Sequence, residues 1–222
     1  MVRKKILFLL VLCSFLFISC STDTLKKDEE LVQMVKEKEI NDYLFSTYQI
    51  TFKEYEENIL KLFYKDYNLD YIKNSDKPVF NYEGKKIFLK DVINYTPEEL
   101  KELRESFLKA VNEQKVGILP TEFLRNETPL EISKVYYDED LKHKVIFLKH
   151  SIKYEDPKEE VKFYRRYIFR QEGDKWNIWE VRQNFLFGKM PVTKEIELFS
   201  NYHGEEVEYP YTVDLKEYDK GF

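Results

Sequence analysis

At Leu130 the spacing of apolar residues changes from about 3.6 to about 2, and no other feature limits the fold of this chain as strongly. Downstream, Leu130–Tyr137, Lys144–Tyr154, Glu160–Gln171 and Trp176–Phe187 alternate apolar and polar residues as strands do. The connections between them, at 138–142, 155–160 and 172–175, are short and rich in Asp, Glu, Pro and Gly. Strands joined so closely in sequence pair antiparallel, because a parallel return needs a crossover of a dozen or more residues. A four-stranded meander is expected.

Upstream of the switch the pattern is helical. Thr51 and Glu54 have capping-box spacing, with Ile50 and Tyr55 placed as a hydrophobic staple. Phe52, Tyr55, Ile59, Leu62 and Phe63 then share one face, which predicts a helix from Thr51 to about Tyr67. Val79–Asp91 carries apolar and aromatic residues on both sides of Glu83-Gly84 and reads as a hairpin. Thr96 is placed as an N-cap, Pro97 occupies the first helical position, and Glu98 and Glu99 load the first turn. Leu100, Leu103, Phe107, Ala110 and Val111 give this helix a buried face that ends before Gly117. A C-terminal hairpin around Tyr202-His203-Gly204 within 194–213 and a frayed end at 216–222 complete the expectation.

Helices first, then an antiparallel sheet that ends on Gly173-Asp174-Lys175-Trp176-x-Ile178, resembles the NTF2-like (cystatin-like) family over about Ile50 to Phe187. The resemblance implies an α+β fold, with N-terminal helices packed on a curved antiparallel sheet of about four to six strands around a cavity. That family is functionally mixed, so the fold implies no activity and transfers no residue's role.

The first twenty residues set the location. Arg3, Lys4 and Lys5 precede an apolar run from Ile6 to Ile18, too short for a bilayer crossing of about 20 residues and right for a signal-peptide core. The run ends in Phe17-Ile18-Ser19-Cys20, which resembles the lipobox of bacterial lipoproteins, with Phe17 where that motif usually has Leu. The resemblance implies that residues 1–19 are removed, that Cys20 is acylated, and that the protein sits on the extracytoplasmic side of a cell or outer membrane. A single acyl chain anchors only marginally, and a diacylglyceryl thioether supplies two on one residue. Cys13 leaves with the signal, so neither a disulfide nor a thiol nucleophile remains. The expected layout is a signal peptide over 1–19, a charged tether over 20–40, an α+β domain over 41–190, and a C-terminal hairpin and tail over 191–222.

Processing removes three positive charges and no negative one, taking the formal net charge from −5 to −8. An acidic chain argues against nucleic acid and against electrostatic docking on anionic lipid, and leaves attachment to the anchor. Seventeen Tyr and seventeen Phe stand beside a single Ala, and Lys far outnumbers Arg. AT-rich codons give the same bias, so aromatic abundance alone does not mark a sugar or peptide site.

Few residues invite chemistry. His143, His150 and His203 lack metal-ligand spacing, and glycine-rich phosphate loops and GxSxG are absent. Asp138-Glu139-Asp140 lacks the glycine and glutamate of a calcium loop. No cofactor is implied. His150 interrupts an apolar face made by Ile146, Leu148, Ile152 and Tyr154, and Arg165 interrupts one made by Val161, Phe163, Tyr167 and Phe169. If Tyr154 stands opposite Val161, His150 stands opposite Arg165. The next strand can turn inward either Trp176, Ile178, Glu180 and Arg182 or Trp179, Val181, Gln183 and Phe185. The first choice adds Glu180 to a polar patch inside a cavity. His150, Arg165 and Glu180 are thus the candidate cavity residues, with space-filling, internally satisfied groups as the other reading. Two function classes remain: a binding or interaction module for an envelope protein or small ligand, and an enzyme using the same cavity.

Overall fold

The computed structural model describes residues 27–76, 78–82, 85–113, 128–138, 142–153, 160–187 and 207–219. The fold is α+β, with helices packed on one face of a six-stranded antiparallel sheet. The elements in chain order are α1 (27–46), α2 (Phe52–Leu60), α3 (Asp70–Lys73), β1 (Pro78–Tyr82), β2 (Lys85–Phe88), α4 (Leu89–Val92) and α5 (Pro97–Asn112). They continue as β3 (Leu130–Ile132), β4 (Tyr136–Asp138), β5 (His143–Lys153), β6 (Glu160–Glu172), β7 (Lys175–Phe187) and β8 (Tyr211–Val213). The strand order is β7-β6-β5-β3-β8, and β4 also pairs with β5.

Helix starts fall where local chemistry puts them. Thr51 and Thr96 each accept from the backbone N–H three residues on, and Glu54 and Glu99 each reach back to the cap's own N–H at 2.8 Å. Pro97 opens α5 and Phe107 is fully buried beneath it. Each such side chain contributes about 1.5–3 kcal/mol through burial alone. The helix at Phe52 is shorter than its apolar repeat predicts. Leu62 and Phe63 leave it to meet β7, where Tyr64 N–H donates to Ile178 O at 2.8 Å and Ile178 N–H to Leu62 O at 2.9 Å. A second sheet edge is thereby occupied instead of a third helical turn.

From residue 27 onward, the charged stretch expected to be a tether is part of the domain. Helix α1 starts by residue 27, and Leu31, Val32, Val35 and Tyr43 are core residues. Its last turn closes in a Schellman arrangement: Gln49 N–H donates to Leu44 O and Tyr48 N–H to Phe45 O. Tyr48 occupies the left-handed position at φ 61°, where glycine is the usual occupant. The C-terminal end is also held in place to residue 219. Leu215 is buried, and Asp219 accepts from Arg104, whose guanidinium also caps α1 at Thr47 O, 2.6 Å away. The hairpin expected around Tyr202-His203-Gly204 and the turn at Glu83-Gly84 lie outside the described residues. Within that C-terminal stretch, Tyr211–Val213 pairs with β3.

The sheet departs from a simple meander in two places. The strand expected over 130–137 is two strands, because Ile132 pairs with Leu148 while Tyr136 pairs with Val145, which leaves one extra residue between them. Ser133 fills the break: its hydroxyl accepts from Phe147 N–H at 2.8 Å and donates to Lys134 O at 2.7 Å. In β7 a bulge sits at Trp179, since Phe169 pairs with Ile178 and Ile168 with Glu180. Between β6 and β7 the two-residue turn places Gly173 at φ 60°, the first central position of a II′ turn.

Candidate functional site

The bulge decides which side chains of β7 face the helices. Before it, Trp176 and Ile178 pack on the main core; after it, Val181 packs there opposite Tyr167, and Gln183 shares that face opposite Arg165. Each expected register therefore holds for half of the strand. Glu180 and Arg182 fall on the other face, so the expectation that Glu180 joins Arg165 is corrected. Glu180 borders the cavity, but its carboxylate is bound by Arg182 at 2.7 and 3.0 Å, and that bond holds its pKa below the usual carboxylate range.

The β5–β6 register is corrected as well. Ile152, not Tyr154, stands opposite Val161, so His150 faces Phe163 and Arg165 faces Leu148. The two polar residues are diagonal neighbours, not partners. A shift of two residues keeps every side chain on its face, so the alternation of the sequence cannot select between these pairings. His150 is buried with its Nε2 2.7 Å from Thr128 Oγ1, and it does not line the cavity.

Arg165 does line it, and its partners come from α1. Its Nη1 donates to Glu39 Oε1 at 2.7 Å and to Asp42 Oδ2 at 3.1 Å, while Nε donates to Gln183 Oε1 at 3.1 Å. Lys38 donates to Asp42 Oδ2 at 2.5 Å, Tyr55 donates to Asp42 Oδ1 at 3.0 Å, and Tyr167 donates to Glu39 Oε1. Glu39 and Tyr167 have no exposed surface. Burial, and then the neighbouring Glu39 charge, push the Tyr167 hydroxyl well above its usual pKa; burial and Asp42 do the same for Tyr55. Both phenols therefore stay protonated donors. Two cations and two carboxylates give this network no net charge, and hydrogen bonds accompany each ion pair, which is what keeps charges tolerable at this depth.

Above the network lies a cavity of about 740 Å³ between α1, the α2–α4 segment and β6–β7. Lys38, Asp42, Arg165 and Gln183 form its polar base. The rings of Phe45, Tyr55, Phe63 and Tyr67 and the side chains of Ile72 and Val79 supply much of the remaining wall. Phe45 stacks on Tyr55 with centroids 4.6 Å apart, and Phe63 on Tyr67 at 3.8 Å. Tyr48 closes one side, with its hydroxyl donating to Val79 O at 3.2 Å. Such a space, apolar with a few convergent polar groups, is the usual form of a small-molecule site.

Among the described residues no group of three or more His, Cys, Asp or Glu side chains could hold a metal ion, and no helix is long and apolar enough to cross a membrane. Cys20, the signal segment, Glu139, Asp140 and His203 lie outside the described residues. No family model, no curated protein and no solved structure matches the chain.

Proposed function

We propose that the chain is a membrane-anchored extracytoplasmic lipoprotein, acylated at Cys20, whose domain is a binding module for a small, largely apolar or aromatic ligand. One observation carries the binding reading: an aromatic-walled cavity of about 740 Å³ stands over charged groups already compensated within the protein. Asp42 and Glu39 are both engaged by cations and hydroxyls, which favours holding a ligand over acid–base chemistry on one. A ligand entering this space gains apolar contact and ring stacking while the base fixes its orientation. The likeness to NTF2-like proteins rests on element order and adds no function of its own.

The cavity is tested with the neutral dye N-phenyl-1-naphthylamine. Wild type should enhance its emission saturably, and Val181→Trp, which fills the space opposite Tyr167, should abolish the effect while leaving the far-UV spectrum unchanged. Absence of saturable binding by wild type would remove the binding reading. The anchor is tested separately by labelled palmitate: wild type should take it up and Cys20→Ala should not.

A further inference from the structure

The outer face of β6–β7 concentrates the basic charge that the chain as a whole lacks. Arg166 and Arg170 sit two pleats apart on β6, about 13 Å along the strand, and Arg182 on β7 stands directly opposite Arg166. Like charges in that relationship oppose pairing of the strands, so the arrangement is held against stability. Glu180 is bound by Arg182, and Asp138, buried opposite His143, faces the same side, so the three arginines outnumber these two carboxylates by one on a processed chain of −8.

Aromatic residues border the same patch. The bulge turns Trp179 outward, where it remains 38% exposed; the Arg170 guanidinium lies 4.5 Å from its ring centroid and His143 packs at 5.1 Å. The far half of the outer face is covered instead, with Val207 and Tyr209 packed on Val145, Phe147 and Tyr164.

The start of α1 lies at this end of the sheet, on its helical face. Asp28 is bound to Lys144 Nζ at 2.5 Å, and Lys144 pairs with Phe169, next to Arg170. Eight residues separate Asp28 from Cys20 and reach at most about 28 Å when extended. A bilayer holding Cys20 is therefore within reach of Trp179 and the three arginines. Indole rings favour the headgroup level, and guanidinium groups match phosphate bidentately.

We infer that the Arg166–Arg170–Arg182 and Trp179 face docks on the anionic phospholipid surface to which Cys20 is tied, so that the domain has a fixed orientation on its own membrane. The inference rests on the lipoprotein reading proposed above. Trp179 and Glu180 also border the cavity, so the docked surface lies at its rim.

The test uses the full, acylated chain, reconstituted into vesicles of phosphatidylcholine with or without phosphatidylglycerol, all carrying brominated acyl chains. Flotation reads the anchor and bromine quenching of tryptophan reads the docking. Only Trp176 and Trp179 emit, and Trp176 packs on the inner core, so Trp179→Phe assigns the signal. The expected result is flotation in every vesicle, with quenching that requires phosphatidylglycerol and is lost in molar salt, in Trp179→Phe and in the Arg166→Gln/Arg170→Gln/Arg182→Gln variant. Thermal melting of that variant should match or exceed wild type. Flotation with no quenching, or with equal quenching in pure phosphatidylcholine, overturns the docking and leaves the anchor standing. No flotation overturns the anchor and the docking together.

Discussion

Glu39 on α1 accepts from Arg165 on β6, 126 residues later in the chain, at 2.7 Å and with no solvent contact on the carboxylate side. Breaking a buried pair by removing one partner leaves an uncompensated charge and costs about 3–5 kcal/mol. Arg165→Met should lower the unfolding free energy in urea titrations by that amount, with the midpoint falling in proportion. Adding Glu39→Gln should recover part of the loss, so the double variant should be more stable than the sum of the two single changes. A neutral Arg165→Met would mean that the pair does not exist in solution.

Thr96 and Glu99 close a capping box at the start of α5. Thr96→Ala should cost about 1 kcal/mol in urea unfolding, and Thr96→Asp should restore most of it. Equal stability of all three proteins would place the start of the helix elsewhere.

Tyr48 pairs a left-handed backbone with a buried ring that meets Phe107 edge-on at 5.4 Å. Losing the ring should cost about 3–5 kcal/mol in either a Gly or an Ala variant. Gly relaxes the backbone and Ala does not, so Tyr48→Gly should be more stable than Tyr48→Ala by about 1 kcal/mol. The reverse order would show that the turn is not left-handed there.

His143 gives the stability a pH dependence with a definite sign. Burial, and then the Arg170 charge, lower its pKa below the usual 6.5. Above that value it is neutral whether folded or unfolded and contributes nothing. As pH falls below it, the unfolded chain takes the proton first and the folded state loses relative stability until the lowered folded pKa is passed. The urea-midpoint difference between His143→Gln and wild type should therefore grow in favour of the variant over that window and be flat above it. A difference that does not change with pH would remove His143 as the titrating group.

Capping and alternation are local, and they were readable directly. Thr51, Thr96 and Pro97 need only their next few neighbours to define a helix start, and the strands of Lys144–Glu172 need only a repeat of two. The bulge at Trp179 was not readable, because Trp176 with Ile178 and Val181 with Gln183 are equally good inward pairs until the 62–64 segment bonds to Ile178. The α1 partners of Arg165 were hidden by composition: Glu39 sits in a charged run that reads as a solvated face, and Asp42 follows just after it. A signal was present in the spacing. Leu31, Val35, Glu39 and Asp42 follow one helical stripe, so the burial of the first two extends to the carboxylates. The polar residues of a stripe are assigned by the apolar residues above and below them, not by their own character.

The order in which the chain is made has a consequence for α1. This helix emerges first, yet the cation its carboxylates require belongs to a strand synthesised more than a hundred residues later. Until β6 arrives, Glu39 has no means of entering an apolar interior, and the first helix must remain hydrated and undocked. Pairing of such high sequence separation is slow to form and late. The domain is therefore built to finish in one step near the end of its synthesis, and a ribosome or export channel that stalls before Arg165 would hold a chain whose first helix cannot be stored in any partly folded core.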